Sequence, residues 1–491
     1  MTFSWTLSRR IGQFLCSFAL FLVFPCAAVA DDDEDDGDVF VFGAPPPPPT
    51  PVAPSSTTPD SSPGAAPQAR MEVLIESIRA NYGYVTDSDP LVETLMHEVI
   101  AAIRWRPSPG WEVRLGGRVD GFIETGGEEE VMEFRGDLDE SFIRLRADEM
   151  RLTIGTQRIG WGRVDEEPPT DRLSALDLRR FFQDELSDRR LAMPGARIEL
   201  FTRNFRIDGI FMPWFRSAIL PEPESVWHPV NSRDGRVLGL APPEDFGPAM
   251  QVLLREGGFE EQDYSIGAAW GVRASRSGAG VDFALTLQRA PHAMPYFGID
   301  PRARRAFLQT GSLEEALQST HGEPIFVAFQ PEAWIGGGDL GFVTGPLTWR
   351  AEAAWISDYP VTTEDLETIS MQAAQWALGV EVFPGDGELR VTVQVGGFHL
   401  LEDTEVIDRD MSFYSIGEIA QPFDRERWTA RVRWRAGLDH HDFYINPELA
   451  FTGLQPHDFY VGYYHFSGDE GTLGGYYEEN GMLSIGWRGR M

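Results

Sequence analysis

Arg427, Arg431, Arg433 and Arg435 recur at even spacing, with Trp428, Val432 and Trp434 between them. In a strand this puts guanidinium groups on one face and large apolar groups on the other. The arginine face could attract anions, or be neutralised by carboxylates on neighbouring strands, with Glu112, Asp120, Glu199, Asp208, Asp282 and Glu352 as expected partners. A second charged set, Asp165, Asp171, Asp177, Arg179, Arg180 and Asp184, follows a strand pattern ending at Trp161 and lies within the long segment Gly162 to Met193. Opposed Arg and Asp groups on one segment either pair with each other or set a transverse field that orders water and screens solutes. Neither arrangement breaks bonds. His440, His441, His457 and His465 cluster without regular ligand spacing, and no Ser/His/polar set is marked, so neither a metal, a cofactor nor an enzyme activity is expected. Gly336-Gly337-Gly338 falls inside a strand pattern, where a bulge or close backbone approach explains it better than phosphate binding.

The elements that carry these residues are short alternating runs separated by turn chemistry. Ile103 and Trp105 alternate with Arg104 and Arg106; after Ser108-Pro109-Gly110, Trp111, Val113, Leu115 and Val119 alternate with Glu112, Arg114, Arg118 and Asp120. The design returns with Arg144 and Arg146 before Asp148-Glu149, with Arg197 and Glu199 before Arg203-Asn204, and with Arg206 and Asp208 after it. Further along, Asp282, Arg350, Glu352 and Arg390 occupy the polar positions of similar runs. Together with the arginines at 431, 433 and 435, these residues form one charged face. Long segments, about Gly162 to Met193, Ser217 to Gln262, Ala290 to Glu323 and Ser467 to Asn480, alternate with tight turns. Short turns on one side and long loops on the other predict an all-β, transmembrane, antiparallel up-and-down barrel with a polar interior and extracellular long loops. The runs number about eighteen strands, or sixteen if the weakly patterned Met71 to Tyr84 and Asp410 to Ala420 are not strands. Trp105, Trp111, Trp161, Trp355, Tyr463, Tyr464 and Trp487 are expected in interfacial girdles.

Export is expected as well. Arg9 and Arg10 precede the apolar run Ile11 to Phe24, and Ala28-Val29-Ala30 has the small-x-small form of a signal-peptidase site, giving a signal peptide at 1–30. No run reaches the ~20 apolar residues of a membrane-spanning helix. Cys16 and Cys26 both lie in the signal, so the mature chain has neither disulfides nor thiolate ligands. An acidic run from Asp31 and a Pro/Ser/Thr/Ala-rich stretch make 31–70 a disordered linker before a barrel at 71–491. With 76 acidic against 42 basic residues, nucleic acid is an unfavourable partner. Every basic residue apart from histidine is arginine.

The segment Gly155-Thr-Gln-Arg-Ile-Gly-Trp-Gly-Arg-Val-Asp165, with Asp171 and Leu176-Asp177-Leu178-Arg179 after it, resembles the signature of the domain-of-unknown-function 1302 family of proteobacterial outer-membrane β-barrel proteins. Asp188-Arg189-Arg190, Gly345-Pro346 and Gly474-Gly475-Tyr476-Tyr477-Glu478-Glu479-Asn480 fit the same resemblance. The chain departs from it at Ser174-Ala175, where the family has Asn-Pro, and in ending on Met491 rather than phenylalanine. The resemblance implies an outer-membrane location beside lipid and lipopolysaccharide, and passage of an unidentified small molecule. The alternative expectation is a plugged or structural barrel that partners a periplasmic or inner-membrane transporter or export system.

Overall fold

The computed structural model describes residues 69–88, 91–127, 129–232, 234–240, 247–260, 265–278, 280–385 and 387–490. The expected signal peptide, and the expected linker up to residue 68, lie outside them. Among the described residues eighteen strands form one antiparallel sheet. They are β1 (Arg70–Val85), β2 (Val92–Ser108), β3 (Trp111–Thr125), β4 (Val131–Leu138 and Ser141–Ala147), β5 (Met150–Gln157), β6 (Met193–Phe201), β7 (Phe205–Met212), β8 (Ala269–Arg276) and β9 (Val281–Pro291). The second half consists of β10 (Glu332–Thr344), β11 (Leu347–Thr362), β12 (Thr368–Val382), β13 (Arg390–Leu400), β14 (Met411–Phe423), β15 (Trp428–Gly437), β16 (Asp442–Leu454), β17 (His457–Gly468) and β18 (Met482–Arg490). Each strand pairs with its neighbours in sequence, and β18 pairs back onto β1 from Met482↔Val85 to Arg490↔Ser77. The ring is closed and has no edge.

Both weakly patterned stretches are strands, which makes the count eighteen rather than sixteen. In β1 a bulge between Ile75 and Ser77 switches the inward parity from even to odd positions, so Glu72 and Glu76 face the same side as Arg79 and Asn81. One alternation therefore cannot be read through it. In β14 the inward face carries Tyr414 and the outward face Gly417, which inverts the usual contrast.

Outward residues are large and apolar. Phe134 is 80% exposed, Leu285 65% and Leu115 60%, and they belong to a band that includes Ile143, Ile154, Ile207, Leu378 and Ile485. Half-exposed Trp105, Trp111, Trp355 and Trp376 lie on the same outer surface. So continuous an apolar exterior needs a non-aqueous neighbour. Two of the expected girdle residues are elsewhere, and a third, Trp487, is covered, 4% exposed and packed on His457. Trp161 is buried in a loop inside the ring, and Tyr464 turns inward against Tyr444, 6.3 Å between ring centres, because its neighbour Tyr463 takes the other face. Arg427 also leaves the arginine ladder, since it belongs to the β14–β15 turn and pairs with Asp424 at 2.6 Å.

Short turns at 109–110, 148–149, 202–204, 345–346 and 455–456 mark one end of the ring, and the connections 158–192, 213–268, 292–331 and 469–481 mark the other. The loops have apolar cores of their own, one joining Leu253, Leu254, Ala303, Ala316, Ile325 and Phe326. If the outer band is in lipid, Leu285→Arg at the middle of β9 is expected to destabilise the folded barrel by about 2–4 kcal/mol. Urea-dependent folding into lipid vesicles measures this, and an unchanged midpoint would contradict a lipid-facing β9.

Candidate functional site

The segment 158–192, between β5 and β6, folds into the ring. An apolar cluster fastens its two feet: Ile159, Trp161, Leu173, Ala175 and Leu191 pack with Ile210, Met212, Phe215, Ala269 and Ala290 of the neighbouring wall and loop. The wall makes room for them with glycine. A Cβ on Gly271 of β8 would lie 2.7 Å from the Trp161 ring and 2.8 Å from Leu173, and one on Gly337 of β10 would lie 2.8 Å from Thr170. Gly337 and Gly338 thus serve close approach, to the loop and to β9, whereas a Cβ on Gly336 would meet only an ordinary contact with Trp355 at 3.9 Å. Trp161 then donates its indole N–H to Asp208 Oδ2 at 3.1 Å.

From these feet the chain crosses to the other strands through charged groups. Asp339 of β10 and Glu352 of β11 stand directly opposite each other, an unfavourable like-charge pair. Arg163 resolves it, pairing with Asp339 while its backbone N–H donates to Glu352 Oε2 at 2.8 Å. The Thr170 N–H and hydroxyl both donate to Glu352 Oε1 at 2.7 Å. Asp165 pairs with Arg350 at 2.8 Å and Glu167 with Arg435 at 3.2 Å. The tip continues to the opposite wall. Asp177 accepts from Arg118 of β3 at 2.9 Å and from Arg179 at 2.6 Å, and Arg179 also reaches Asp120 at 2.7 Å. Arg79 of β1 donates to Asp184 at 3.1 Å and Asp188 at 3.0 Å, while Glu185 holds Arg431 of β15 at 2.9 Å. Phe182 adds an apolar grip, its ring 5.4–5.7 Å from Tyr444, Phe466 and Tyr477.

Of the six residues singled out in this loop, Asp165, Asp177, Arg179 and Asp184 reach the wall. Asp171 and Arg180 instead pair within the loop, with Arg190 at 2.6 Å and Asp184 at 3.4 Å. The wall residues are also paired: Arg104 with Glu72, Arg114 with Glu76, Arg144 and Arg146 with Glu112, Arg197 with Asp208, Arg206 with Glu199, and Arg390 with Glu418. Asp282 faces Arg163 at 3.8 Å. Two of the three ladder arginines, Arg431 and Arg435, are neutralised, but by different carboxylates from those expected. Arg431 meets Glu185, Glu448 at 3.2 Å and Glu418 at 3.6 Å; Arg435 meets Asp442 at 2.5 Å and Glu167; Arg433 donates to the amide oxygen of Asn446 at 2.8 Å. Adjacent strands and the loop are nearer than the strands across the ring, and sequence alternation does not give that order.

Sequence reading also passed over Arg79, Glu98, Arg163, Asp339, Glu185 and Glu448. Asp339 and Glu448 occupy inward positions of regular strands and were within reach of the alternation argument. Glu98 likewise shares the unbroken even parity of Arg104 in β2, whereas Arg79 depends on the parity switch in β1, and Glu185 on a loop path that no pattern encodes. Among the described residues no group of three or more His, Cys, Asp or Glu side chains is placed to hold a metal ion.

No protein-family model matches the chain, and no curated protein matches it. Solved structures similar to it include Acinetobacter baumannii OccAB2, at 8% identity and a TM-score of 0.48, covering 86% of this chain and 98% of that one. Pseudomonas aeruginosa OccK5 (OpdH) is 8% identical with a TM-score of 0.46, over 86% and 97% of the two chains. The Acinetobacter baumannii outer membrane channel DcaP, also 8% identical, has a TM-score of 0.38 over 86% and 98%. The closed architecture described above rests on strand pairing in this chain.

Burial by itself raises the carboxyl of Asp184, but Arg180 and Arg79 outweigh it and hold the group down at about 2. Glu185 is likewise raised by burial and brought down to about 2 by Arg431 and Arg490. Because both values are depressed from ordinary ones near 4, tip docking is fully supported above pH ~4 and weakens as the pH falls toward 2. Acid protease cleavage within 177–188 is therefore expected to be slow at pH 4–5 and to accelerate steeply between about pH 4 and 2. Rapid cleavage already at pH 5 would show that these carboxylates do not hold the tip. Asp177→Ala, which strips two buried guanidiniums of a shared partner, is expected to cost loop docking about 3 kcal/mol. Cleavage rates at neutral pH report it.

Proposed function

We propose that this chain is an outer-membrane, porin-like channel that passes small molecules around a loop folded into its lumen. The observation that carries the proposal is the segment 158–192 itself, drawn inside a closed ring and tied by ion pairs to strands from β1 to β15. A lumen lined by such alternating guanidinium and carboxylate groups suits polar solutes and water. The resemblance to the domain-of-unknown-function 1302 family supports the same reading, since its signature Gly155 to Asp165 coincides with the end of β5 and the first foot of the loop. Lipid and lipopolysaccharide are the partners such a location implies, and the channel reading requires no enzymatic step.

Purified protein in planar bilayers is expected to give reproducible single-channel steps. A persistently silent barrel would overturn this reading in favour of a plugged structural barrel that partners an export system. Gly271→Val, which removes the seat of Trp161 and Leu173 without altering wall charge, is expected to raise the conductance by loosening the loop. Arg431 is flanked by three carboxylates, so Arg431→Gln is expected to move the reversal potential in a KCl gradient toward cation selectivity. Unchanged selectivity would place Arg431 outside the conducting path.

A further inference from the structure

A small pocket of about 20 Å³ opens between the loop tip and the wall formed by β1, β15, β17 and β18. Its lining holds four guanidinium groups, Arg79, Arg180, Arg433 and Arg488, against three loop carboxylates, Asp184, Glu185 and Asp188. Those carboxylates are already engaged by Arg79, Arg180, Arg431 and Arg490. Arg433, in contrast, has no carboxylate within ion-pair distance among the described residues, only the neutral Asn446. Glu448 and Glu185 lie near it but are held by Arg488 and Arg431, so Arg433 keeps N–H groups for a further acceptor.

Bare donors lie in the same lining. Arg79 is 7% exposed; its Nε donates to Glu98 at 2.8 Å and its Nη1 to Asp184 and Asp188, yet its Nη2 has no partner. Gln183, 8% exposed, leaves its Nε2 without one. Leaving a buried donor unmade is costly, and more so for a charged group, so something that accepts hydrogen bonds fits here. Asn81 adds the opposite demand. Its amide nitrogen donates to the Tyr460 hydroxyl at 2.9 Å, and its Oδ1 is left without a donor. A carboxylate satisfies the donors but not this oxygen, whereas a phosphate that retains a P–OH satisfies both.

We propose that this pocket binds a small hydrogen-bearing oxyanion of the phosphate class, clamped between Arg79 and Arg433 of the wall and Gln183 of the loop. Guanidinium groups recognise such anions through paired N–H donors, and so small a space restricts the occupant to a compact anion. A bound anion would also add a cross-link between loop tip and barrel. The inference concerns binding and stands apart from conduction.

Full-length protein in detergent, titrated calorimetrically with inorganic phosphate at constant ionic strength in chloride, is expected to bind one equivalent saturably. Acetate, lacking a proton to donate at neutral pH, is expected to bind several-fold more weakly. Arg433→Gln and Gln183→Leu are each expected to weaken phosphate about tenfold, while Arg427→Gln at the distant turn leaves it unchanged. Intact β-sheet signal in each variant separates lost binding from lost folding. Absence of saturable phosphate binding, or full affinity in both folded variants, overturns the proposal; equal binding of acetate overturns the phosphate assignment. A silent barrel that binds phosphate leaves the inference standing, and a conducting barrel that binds none removes it.

Discussion

Ring closure is the constraint on which the rest of this structure depends. A strand whose outer side chains need an apolar surrounding has no water there for its backbone N–H and C=O groups, so every strand must be paired on both sides. Pairing β18 with β1 meets that requirement, and it simultaneously defines an inside. Once an inside exists, alternation sends every second residue into it. The arginines and carboxylates of β3, β7, β11 and β15 are therefore not a separate device added to the fold. They follow from strands that have already given their other face to apolar groups.

An interior so lined cannot leave its charges bare. Neighbouring strands answer part of the demand, as Glu418 and Glu448 do for Arg431 from either side. The remainder is answered by the loop. Where the register brings Asp339 opposite Glu352, Arg273 of β8 reaches Asp339 at 2.5 Å from within the sheet, and the loop supplies the rest, Arg163 to Asp339 and Thr170 to Glu352. The loop's path thus completes a charge balance that the sheet makes only in part. Folding the loop inward and neutralising the wall are one event.

This also explains what could be read from the amino-acid sequence. Barrel class, turn positions and the inward face of regular strands depend on a period of two, and Arg118, Arg197 and Glu352 were legible for that reason. The parity switch in β1 hid Arg79, because alternation read across a bulge averages to nothing. Partner identities were not legible at all: they depend on which strands are neighbours and on how far a loop reaches. Trp161 illustrates the limit most clearly. Its type and its place at a strand end fit an interfacial girdle, yet the chain turns inward there, and the same indole becomes the anchor of a buried cluster.

The two ends of the loop are held by different forces, and that asymmetry bears on how it could move. Its feet rest on close-packed apolar contacts with β6 to β9, which neither salt nor acid weakens greatly. Its tip rests mainly on ion pairs with β1, β3 and β15, with Phe182 as the one large apolar grip. Pairs that retain contact with water are screened by salt and are lost on protonation, whereas packing is not. A perturbation strong enough to release the tip would therefore leave the feet in place. The loop would swing from its apolar end rather than leave the lumen, so the charged wall of β1, β3 and β15 would be uncovered first, while β8, β10 and β11 stayed covered.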